Sequence, residues 1–329
     1  MRNDAQHSGA KSARRAAVVG AGGFLGARLA AGLAQRGWAV RGLVRRPGVR
    51  VSGVELVRGD AADPEAVARV ASGADCVFVV AAWVHRRARG AEAAAACFAA
   101  NASIARASAE ALSSSVRPWR TVYVSTSAVY GTRFLQARET DPCHPATPYA
   151  EGKLAGERLI LEAARSAGLP AVVLRPSSIV GPAAPGNVPL LRRASALGWL
   201  PLPGGGGAPK SMVHVDTVVE ACARVAVVPL RHGTVLNLAD PAPVTPREVA
   251  LALAASRGDR LRVTSLPVGA ARLVTRTWDS TLGGRAGIPP LGAFLDTWLA
   301  PAVVDVGASR ARLGDYVVLG ALESLGQDA

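Results

Sequence analysis

The hydrophobic and polar positions of the chain alternate between two spacings over its first half. Ala16–Gly20, Ala39–Val44 and Val54–Arg58 are short runs of β-forming residues. Between the first two, small and apolar residues recur at helical spacing over Phe24–Arg36, and Gly37 follows as a stop signal. Strands that alternate with helices are typical of parallel βαβ units. The pattern therefore predicts an α/β fold with a doubly wound parallel sheet.

The same alternation continues to about residue 180. Cys76–Ala82 is apolar throughout, as expected of a strand that is covered on both faces. Asp63 and Pro64 suit the N-cap and the first turn of a helix. The other predicted elements are helices over Ala91–Ser113 and Tyr149–Ala167 and strands over Thr121–Ser125 and Ala171–Leu174.

The residue composition and the hydrophobic pattern of the sequence change after Pro176. Prolines and glycines make residues 181–210 rich in loops, and two strand-like pieces follow at Ser211–Val215 and Thr234–Leu238. Helical and irregular sequence runs from there to the end. We expect a dinucleotide-binding domain of residues 16–180, with return segments at about 211–240. A smaller, interleaved substrate domain is expected to comprise residues 181–210 and 241–329, and residues 1–15 to form a disordered basic leader.

Hydrophobic residues make up 50% of the chain, enough for a sizeable core. No apolar run approaches the ~20 residues of a membrane helix, and the polar start has no apolar segment typical of a signal peptide. The cysteines lack CxxC pairs and nearby histidines at ligand spacing; they are Cys76, Cys97, Cys143 and Cys222. We expect a cytoplasmic protein with reduced thiols, no metal site and no membrane contact.

The formal net charge of +14 is compatible with nucleic-acid binding. The arginines are spread, however, over groups such as Arg14–Arg15, Arg45–Arg46 and Arg192–Arg193, and no basic motif is interleaved with aromatic residues. A nucleotide cofactor or a phosphorylated substrate explains the local charge as well. The expected partners are a small-molecule substrate and, as an option, a second copy in a homodimer, but no nucleic acid.

A glycine-rich turn separates the first predicted strand from the first predicted helix. Gly20 permits a tight turn, Gly23 lets the backbone approach a pyrophosphate, and Gly26 lets helix and strand pack closely. The helix N-terminus offers amide donors and a partial positive charge to phosphates. The turn therefore predicts a Rossmann dinucleotide site formed by Gly20, Gly22, Gly23, Phe24, Leu25 and Gly26.

The end of the second strand indicates which dinucleotide binds. NAD enzymes usually place an acidic residue there for the ribose 2′-hydroxyl, but this chain has Arg45 and Arg46. A guanidinium can hold a 2′-phosphate with two hydrogen bonds. NADP(H) is therefore favoured, with NAD(H) as the alternative. Asp60 and Ala61 follow the third strand, where Asp60 can accept a hydrogen bond from the adenine amine.

Tyr149 and Lys153 lie four residues apart and therefore on one face of a predicted helix. A free tyrosine has a pKa of about 10 and is a poor acid or base at neutral pH. A neighbouring lysine cation is expected to bring the pKa of Tyr149 nearer its working range. Thr126, at the end of the preceding strand, can donate to the substrate oxygen. Thr126, Tyr149 and Lys153 are the predicted catalytic residues, and the last two are also expected to contact the cofactor.

An ordered series of motifs runs from about residue 16 to residue 320. It comprises Gly20-x-x-Gly23-x-x-Gly26, Gly59-Asp60, Ser125-Thr126-Ser127-Ala128-Val129-Tyr130-Gly131, Pro145-x-x-Pro148-Tyr149-x-x-x-Lys153, Leu174-Arg175-Pro176-Ser177-Ser178-Ile179-Val180-Gly181-Pro182 and Val213-His214-Val215-Asp216. With this series the chain resembles the extended short-chain dehydrogenases/reductases, the NAD-dependent epimerase/dehydratase family.

The resemblance implies roles for individual residues. The hydroxyl four residues before the Tyr-Gly pair is catalytic in that family, which places it at Thr126. Ala81 and Ala82 would line the cofactor and Asn101 would support the active site as part of the cofactor region. The implied residues near the nicotinamide are Pro176 to Ser178, of which Pro176 and Ser178 are the predicted contacts.

Two departures from the family pattern narrow the reaction. Dehydratases carry an Asp-Glu pair directly after the catalytic threonine, where this chain has Ser127 and Ala128, so dehydration is not expected. Nucleotide-sugar members often have Arg-Asp before the Val-His-Val-Asp segment, where this chain has Lys210 and Ser211. A nucleotide-sugar substrate is thereby placed in doubt but not excluded.

Three functions are compatible with these residues. The leading one is NADPH-dependent reduction of a ketone, either a keto-sugar nucleotide or another biosynthetic intermediate. An epimerase that keeps its cofactor is the alternative, and Arg45-Arg46 favours reduction because a releasable NADP(H) suits net turnover. A non-catalytic NADP(H) sensor on the same fold needs no proton relay, so the Thr126, Tyr149 and Lys153 set argues against it.

Four of the five histidines, His85, His144, His214 and His232, are isolated in the sequence. For each, a satisfied or solvated imidazole is the preferred interpretation. The segment His85-Arg86-Arg87 is the best exception, because its charge could hold a phosphorylated substrate.

Overall fold

The computed structural model describes residues 13–83, 91–114, 118, 120–185, 188–281 and 291–327. Its strands are β1 (Arg15–Val19), β2 (Ala39–Val44), β3 (Val54–Arg58), β4 (Cys76–Val79), β5 (Arg120–Val124), β6 (Phe134–Ala137), β7 (Ala171–Pro176), β8 (Ser178–Val180), β9 (Trp199–Pro203), β10 (Met212–His214), β11 (Thr234–Leu238), β12 (Arg262–Leu266) and β13 (Ala302–Val304). Its helices are α1 (Phe24–Gln35), α2 (Pro64–Ala71), α3 (Ala91–Ser114), α4 (Pro148–Ser166), α5 (Val188–Ser195), α6 (Val215–Val225), α7 (Pro246–Ala255), α8 (Val268–Thr281), α9 (Leu291–Leu299), α10 (Gly307–Leu313) and α11 (Ala321–Gln327).

Seven parallel strands form the central sheet in the order β11-β7-β5-β4-β1-β2-β3. The chain therefore starts in the middle of the sheet, winds to one edge and then returns to wind to the other. This order confirms the predicted doubly wound Rossmann sheet. Asp63 caps α2 as expected, since its Oδ1 accepts from the backbone N–H of Glu65 at 3.0 Å.

Helices cover both faces of the central sheet. Along β1, Val18 points into a core that it shares with α1 and α6, whereas Val19 points into a core shared with α2, α3 and α4. Both side chains are fully buried. This two-sided burial explains why the predicted strands read as continuous apolar runs rather than as alternating ones.

Three small parallel pairs lie outside the central sheet, β8 with β10, β9 with β12 and β6 with β13. The predicted return to the sheet is observed for β11, whereas β10 pairs with β8 outside the central sheet. The sequence pattern missed β12 and β13, which lie in sequence interpreted as helical or irregular. Both strands are short, so no local periodicity marks them. The partner of β12 is β9, which lies some sixty residues earlier in the sequence.

Two sequence predictions concern the ends and loops of the chain. Arg15, assigned to the leader, is instead the first residue of β1, where its backbone N–H donates to Asp75. The rest of the leader up to residue 12 and the segment His85-Arg86-Arg87 lie outside the described residues. In the part of the chain that the structure describes, no helix has the length and apolar character needed to cross a membrane.

Candidate active site

The carboxyl ends of the central strands open onto one cleft of about 900 Å³, here called the main cleft. Ligands of doubly wound sheets bind at this edge. The predicted site residues that line it belong to the glycine-rich turn, to the segments after β2, β3, β4 and β5, and to the start of α4 and the end of β7. They are Gly20, Gly22, Gly23, Phe24, Leu25, Gly26, Arg45, Arg46, Asp60, Ala61, Ala81, Ala82, Thr126, Tyr149, Lys153 and Pro176. The fold thus brings together segments spread over 157 positions of sequence, from Gly20 to Pro176.

The glycine-rich turn has no space for side chains at two positions. Gly20 has a φ of +98°, and a Cβ on it would lie 2.7 Å from the backbone of Ala81. A Cβ on Gly26 would collide with the carbonyl oxygen of Gly20. The helix that follows, α1, has no side-chain cap at Gly23. Its first amide groups therefore face the main cleft without a side-chain acceptor, which suits a phosphate.

Two arginines lie at the end of the main cleft that is formed by the glycine-rich turn and the end of β2. Arg45 and Arg46 are exposed and line the main cleft directly after β2. Asp60 lies on the same side, and one of its carboxylate oxygens accepts from the backbone N–H of Ala62 at 2.9 Å. This end of the cleft therefore combines two cations with an acceptor, a set that suits a phosphorylated ribose and an adenine amine.

Thr126 caps a short 3₁₀ turn that begins at Ser127. Its Oγ1 accepts from the backbone N–H of Ala128 at 3.2 Å. A hydroxyl that accepts in this way keeps its own hydrogen for donation. Because Thr126 lines the main cleft, that hydrogen is available to an oxygen atom bound there.

Burial sets the protonation of Tyr149 and Lys153. It raises the pKa of Tyr149 to about 12, with a smaller contribution from Cys97. It lowers the pKa of Lys153 to about 7, and the nearby carboxylate of Glu157 opposes this only in part. The Lys153 Nζ lies 4.2 Å from the ring centroid of Tyr123. The pKa of Tyr149 is therefore raised in this structure rather than lowered as expected, because desolvation of both groups dominates.

A buried ion pair supports the helix that carries these residues. Arg175 on β7 donates to both carboxylate oxygens of Glu157 on α4, at 3.0 and 2.7 Å. Arg175 also donates to the hydroxyl of Tyr130 at 3.0 Å, and that hydroxyl donates to Asn237 at 2.8 Å. The network joins α4, β7, β11 and the 3₁₀ turn after Thr126. It fixes the walls of the main cleft relative to one another.

Two serines line the main cleft without having been predicted to do so. Ser125 and Ser177 are 4% and 7% exposed, and their hydroxyls have no hydrogen-bond partner among the described residues. Buried hydroxyls are normally satisfied, so both oxygens indicate that a polar ligand completes the site. With the crowded glycine turn and the uncapped α1, they make the cleft fit a nicotinamide dinucleotide. Ser177, rather than the exposed Ser178, is the lining residue after Pro176.

Asn101 and Ser178 do not line the main cleft. The side chain of Asn101 is buried and forms two hydrogen bonds with the backbone of Trp83. It donates to the Trp83 carbonyl at 2.9 Å and accepts from the Trp83 N–H at 3.1 Å. Trp83 itself lines the cleft. Asn101 therefore holds a wall of the cleft in place rather than forming part of its surface.

The histidines and cysteines in the described residues have structural settings. His214 accepts from the N–H of Asp216 at the start of α6, and His232 accepts from the N–H of Ala171. The cysteines are free thiols, and three of them are buried. Among the described residues, no group of three or more His, Cys, Asp or Glu side chains is arranged to hold a metal ion.

Comparison with known proteins gives consistent matches. The model of the NAD dependent epimerase/dehydratase family matches residues 16–239. A ceramide reductase of Caulobacter vibrioides is 30% identical over 306 residues, which cover 90% of this chain and 83% of that protein. A 2-alkyl-3-oxoalkanoate reductase of Stenotrophomonas maltophilia is 31% identical over 218 residues, 62% of each chain. The solved structure of MoeE5 in complex with UDP-glucuronic acid and NAD has a TM-score of 0.72 at 25% identity, covering 95% of this chain and 96% of MoeE5.

The buried Lys153 predicts how stability depends on pH. Its pKa in the fold, about 7, lies below the 10.5 of a solvated lysine. Between these values the unfolded chain binds more protons, so the free energy of unfolding should rise with pH from about 7 to about 10. Below pH 7 the burial penalty of the cation is fully present. Lys153→Met should therefore raise the free energy of unfolding at pH 6 by a few kcal/mol and flatten this rise.

Denaturant unfolding of the cofactor-free protein across this pH range measures both effects. Lys210→Met is the matched control, because Lys210 Nζ donates to the carbonyl of Thr297 at 2.6 Å and to that of Ala300. That variant should lose stability at pH 6. Equal losses in the two variants would contradict the burial argument for Lys153.

Proposed function

Because the chain belongs to the NAD-dependent epimerase/dehydratase family of extended short-chain dehydrogenases/reductases, we propose that it reduces a ketone to a secondary alcohol with NADPH. Membership makes the chain an oxidoreductase-type enzyme with a nicotinamide cofactor. The observation that carries the reductive direction is the pair Arg45 and Arg46, which line the main cleft directly after β2 and suit a releasable NADPH and net turnover.

The residues of the main cleft divide the task of holding the cofactor. The amides after Gly23 would hold the phosphates, Asp60 would accept from the adenine amine, and Lys153 would donate to the nicotinamide ribose. When bound, the cofactor supplies a hydride to the carbonyl carbon. The hydroxyls of Ser125 and Ser177, which have no partner among the described residues, would lie beside the bound cofactor.

Proton transfer completes the reduction. The Tyr149 phenol donates its proton to the carbonyl oxygen, and the free hydrogen of the Thr126 hydroxyl donates a hydrogen bond to the same oxygen. One hydride and one proton convert the ketone into the alcohol. The phenolate that remains on Tyr149 is stabilised by the ammonium form of Lys153, one helical turn away.

Arg45 and Arg46 support NADPH over NADH in this proposal. Both line the cleft directly after β2, where the adenosine ribose of a Rossmann ligand lies. A 2′-phosphate gives either guanidinium two hydrogen bonds and an opposite charge, whereas a 2′-hydroxyl gives neither.

Epimerisation with a retained cofactor is the competing function. MoeE5 is a structural neighbour whose complex contains a UDP-sugar and NAD. Two sequence relatives of higher identity are named as reductases, which favours reduction here. Ser127 and Ala128 follow Thr126, so the carboxyl groups that dehydration requires are absent from those two positions.

A first prediction separates reduction from epimerisation. With a ketone that the protein converts, the absorbance of the reduced nicotinamide should fall in a one-to-one ratio with the alcohol formed. Chromatographic quantification of the alcohol alongside the absorbance checks the ratio. Conversion without added cofactor and without net oxidation of NADPH would replace the reductase proposal by the epimerase one.

A second prediction concerns the proton donor. Tyr149→Phe should lower kcat by at least ~100-fold, the usual scale for loss of a positioned acid, while leaving the affinity for NADPH nearly unchanged. Tyr316→Phe is the matched control, since Tyr316 is buried at Ser309, away from the main cleft, and should turn over normally. Turnover of Tyr149→Phe within a few-fold of the original chain would refute the assignment.

A third prediction concerns cofactor preference. NADPH should bind more tightly than NADH, and the double variant Arg45→Ala/Arg46→Ala should lose at least ~10-fold in affinity for NADPH while keeping its affinity for NADH. Fluorescence titration with both cofactors measures this. Arg50→Ala, an exposed arginine that is not among the lining residues, serves as the control. Equal affinities for NADPH and NADH in the original chain would contradict the proposal.

A further inference from the structure

A second cavity of about 270 Å³ lies in the C-terminal half, enclosed by α5, β9, β12, α8 and α9. Its walls are almost entirely hydrocarbon and include Leu191, Leu202, Leu266, Ala271 and Leu295. Thr275 and Trp298 are the lining residues whose side chains carry polar atoms. We call it the apolar cavity.

The lining determines what the apolar cavity can hold. A sugar or a nucleotide placed there would lose its hydrogen bonds to water and gain almost none, which is costly for every hydroxyl. A hydrocarbon has no hydrogen bonds to water to lose, and its transfer from water into an apolar cavity is favourable. An apolar cavity of about 150 Å³ holds one benzene ring, so this one has room for roughly ten carbon atoms.

The apolar cavity and the main cleft are lined by segments that lie close together in the sequence. Pro185 lines the main cleft and Leu190 lines the apolar cavity. Five residues of chain span at most about 18 Å, so the two spaces are close neighbours. β8 lies between the two spaces, because Ile179 lines the main cleft and the next residue, Val180, packs in the core beside Leu191, which lines the apolar cavity.

The rim of the apolar cavity is exposed. Leu190 and Val274 line it while remaining 54% and 60% exposed. Exposed apolar side chains that border an apolar cavity are a feature of ligand-binding grooves and of other apolar contact sites.

We propose that the apolar cavity binds the alkyl chain of the substrate, so that the enzyme reduces a long-chain ketone whose carbonyl lies at Tyr149. This inference rests on the proposed ketone reduction and names its substrate class. The polar end of such a molecule stays in the main cleft, and its hydrocarbon tail extends between α5 and α8.

A chain-length series tests the inference by kinetics. With straight-chain 2-alkanones and NADPH, kcat/KM should rise about fourfold per methylene, the usual gain from burying one such group, until roughly ten carbons are enclosed. Val274→Asp places a carboxylate at the rim. It should lower kcat/KM for 2-dodecanone at least ~10-fold more than for 2-pentanone.

Leu273→Asp is the matched control. Leu273 neighbours Val274 on α8 and is 68% exposed, but it does not line the apolar cavity. It should leave the chain-length profile unchanged. A flat profile in the original chain, or equal effects of the two aspartates, would overturn the inference.

A binding measurement separates failure of this inference from failure of the proposed reduction. Decan-1-ol, which is not a ketone, should displace a fluorescent apolar probe from the original protein and from Leu273→Asp but not from Val274→Asp. Displacement without any ketone turnover supports the apolar cavity and refutes the proposed reductase. Ketone turnover with no displacement by decan-1-ol refutes the alkyl-chain site and leaves the reductase in place.

Discussion

The buried ion pair between Glu157 and Arg175 holds together the elements on which the candidate site is built. Its side chains are 4% and 6% exposed. Removal of one partner from such a pair leaves an uncompensated charge and costs about 3–5 kcal/mol. The pair fixes α4 against β7, so Tyr149 and Lys153 keep their places relative to the strand end that forms the opposite wall. Through Tyr130 the same guanidinium also holds the 3₁₀ turn that follows Thr126.

The geometry of this pair has a consequence for the neighbouring lysine. Both oxygens of Glu157 accept from Arg175, so the carboxylate raises the pKa of Lys153 only enough to offset part of the burial. Lys153 is thus placed where an added negative charge favours its ammonium form. A phenolate on Tyr149 is such a charge. The network that stiffens α4 therefore leaves the charge of Lys153 only partly balanced by Glu157. The phenolate that proton transfer would create on Tyr149 lies close enough to balance the rest.

The parts of the site that the sequence predicted are those that depend on local geometry. The turn from Gly20 to Gly26 and the helical spacing of Tyr149 and Lys153 are properties of a few neighbouring residues. The burial of the Ser125 hydroxyl and the raised pKa of Tyr149 could not be predicted, because both depend on which distant segments bury a group. The apolar cavity was even harder to predict from the sequence. It depends on the pairing of β9 with β12, which are some sixty residues apart and carry no sequence motif.

The main cleft and the apolar cavity differ in how well they tolerate amino-acid substitutions. The main cleft is built on backbone approach, as at Gly20 and Ala81, and on the buried pair, so few substitutions leave it intact. The apolar cavity is built from short strands and helices with exposed rims, where side-chain volume can change at small cost. In the proposed function, chemistry and substrate choice would therefore lie in structurally separate parts of the chain on either side of β8. A ligand that bridges them would position its carbonyl by the fit of its tail, since each buried methylene adds binding energy far from the reacting atoms.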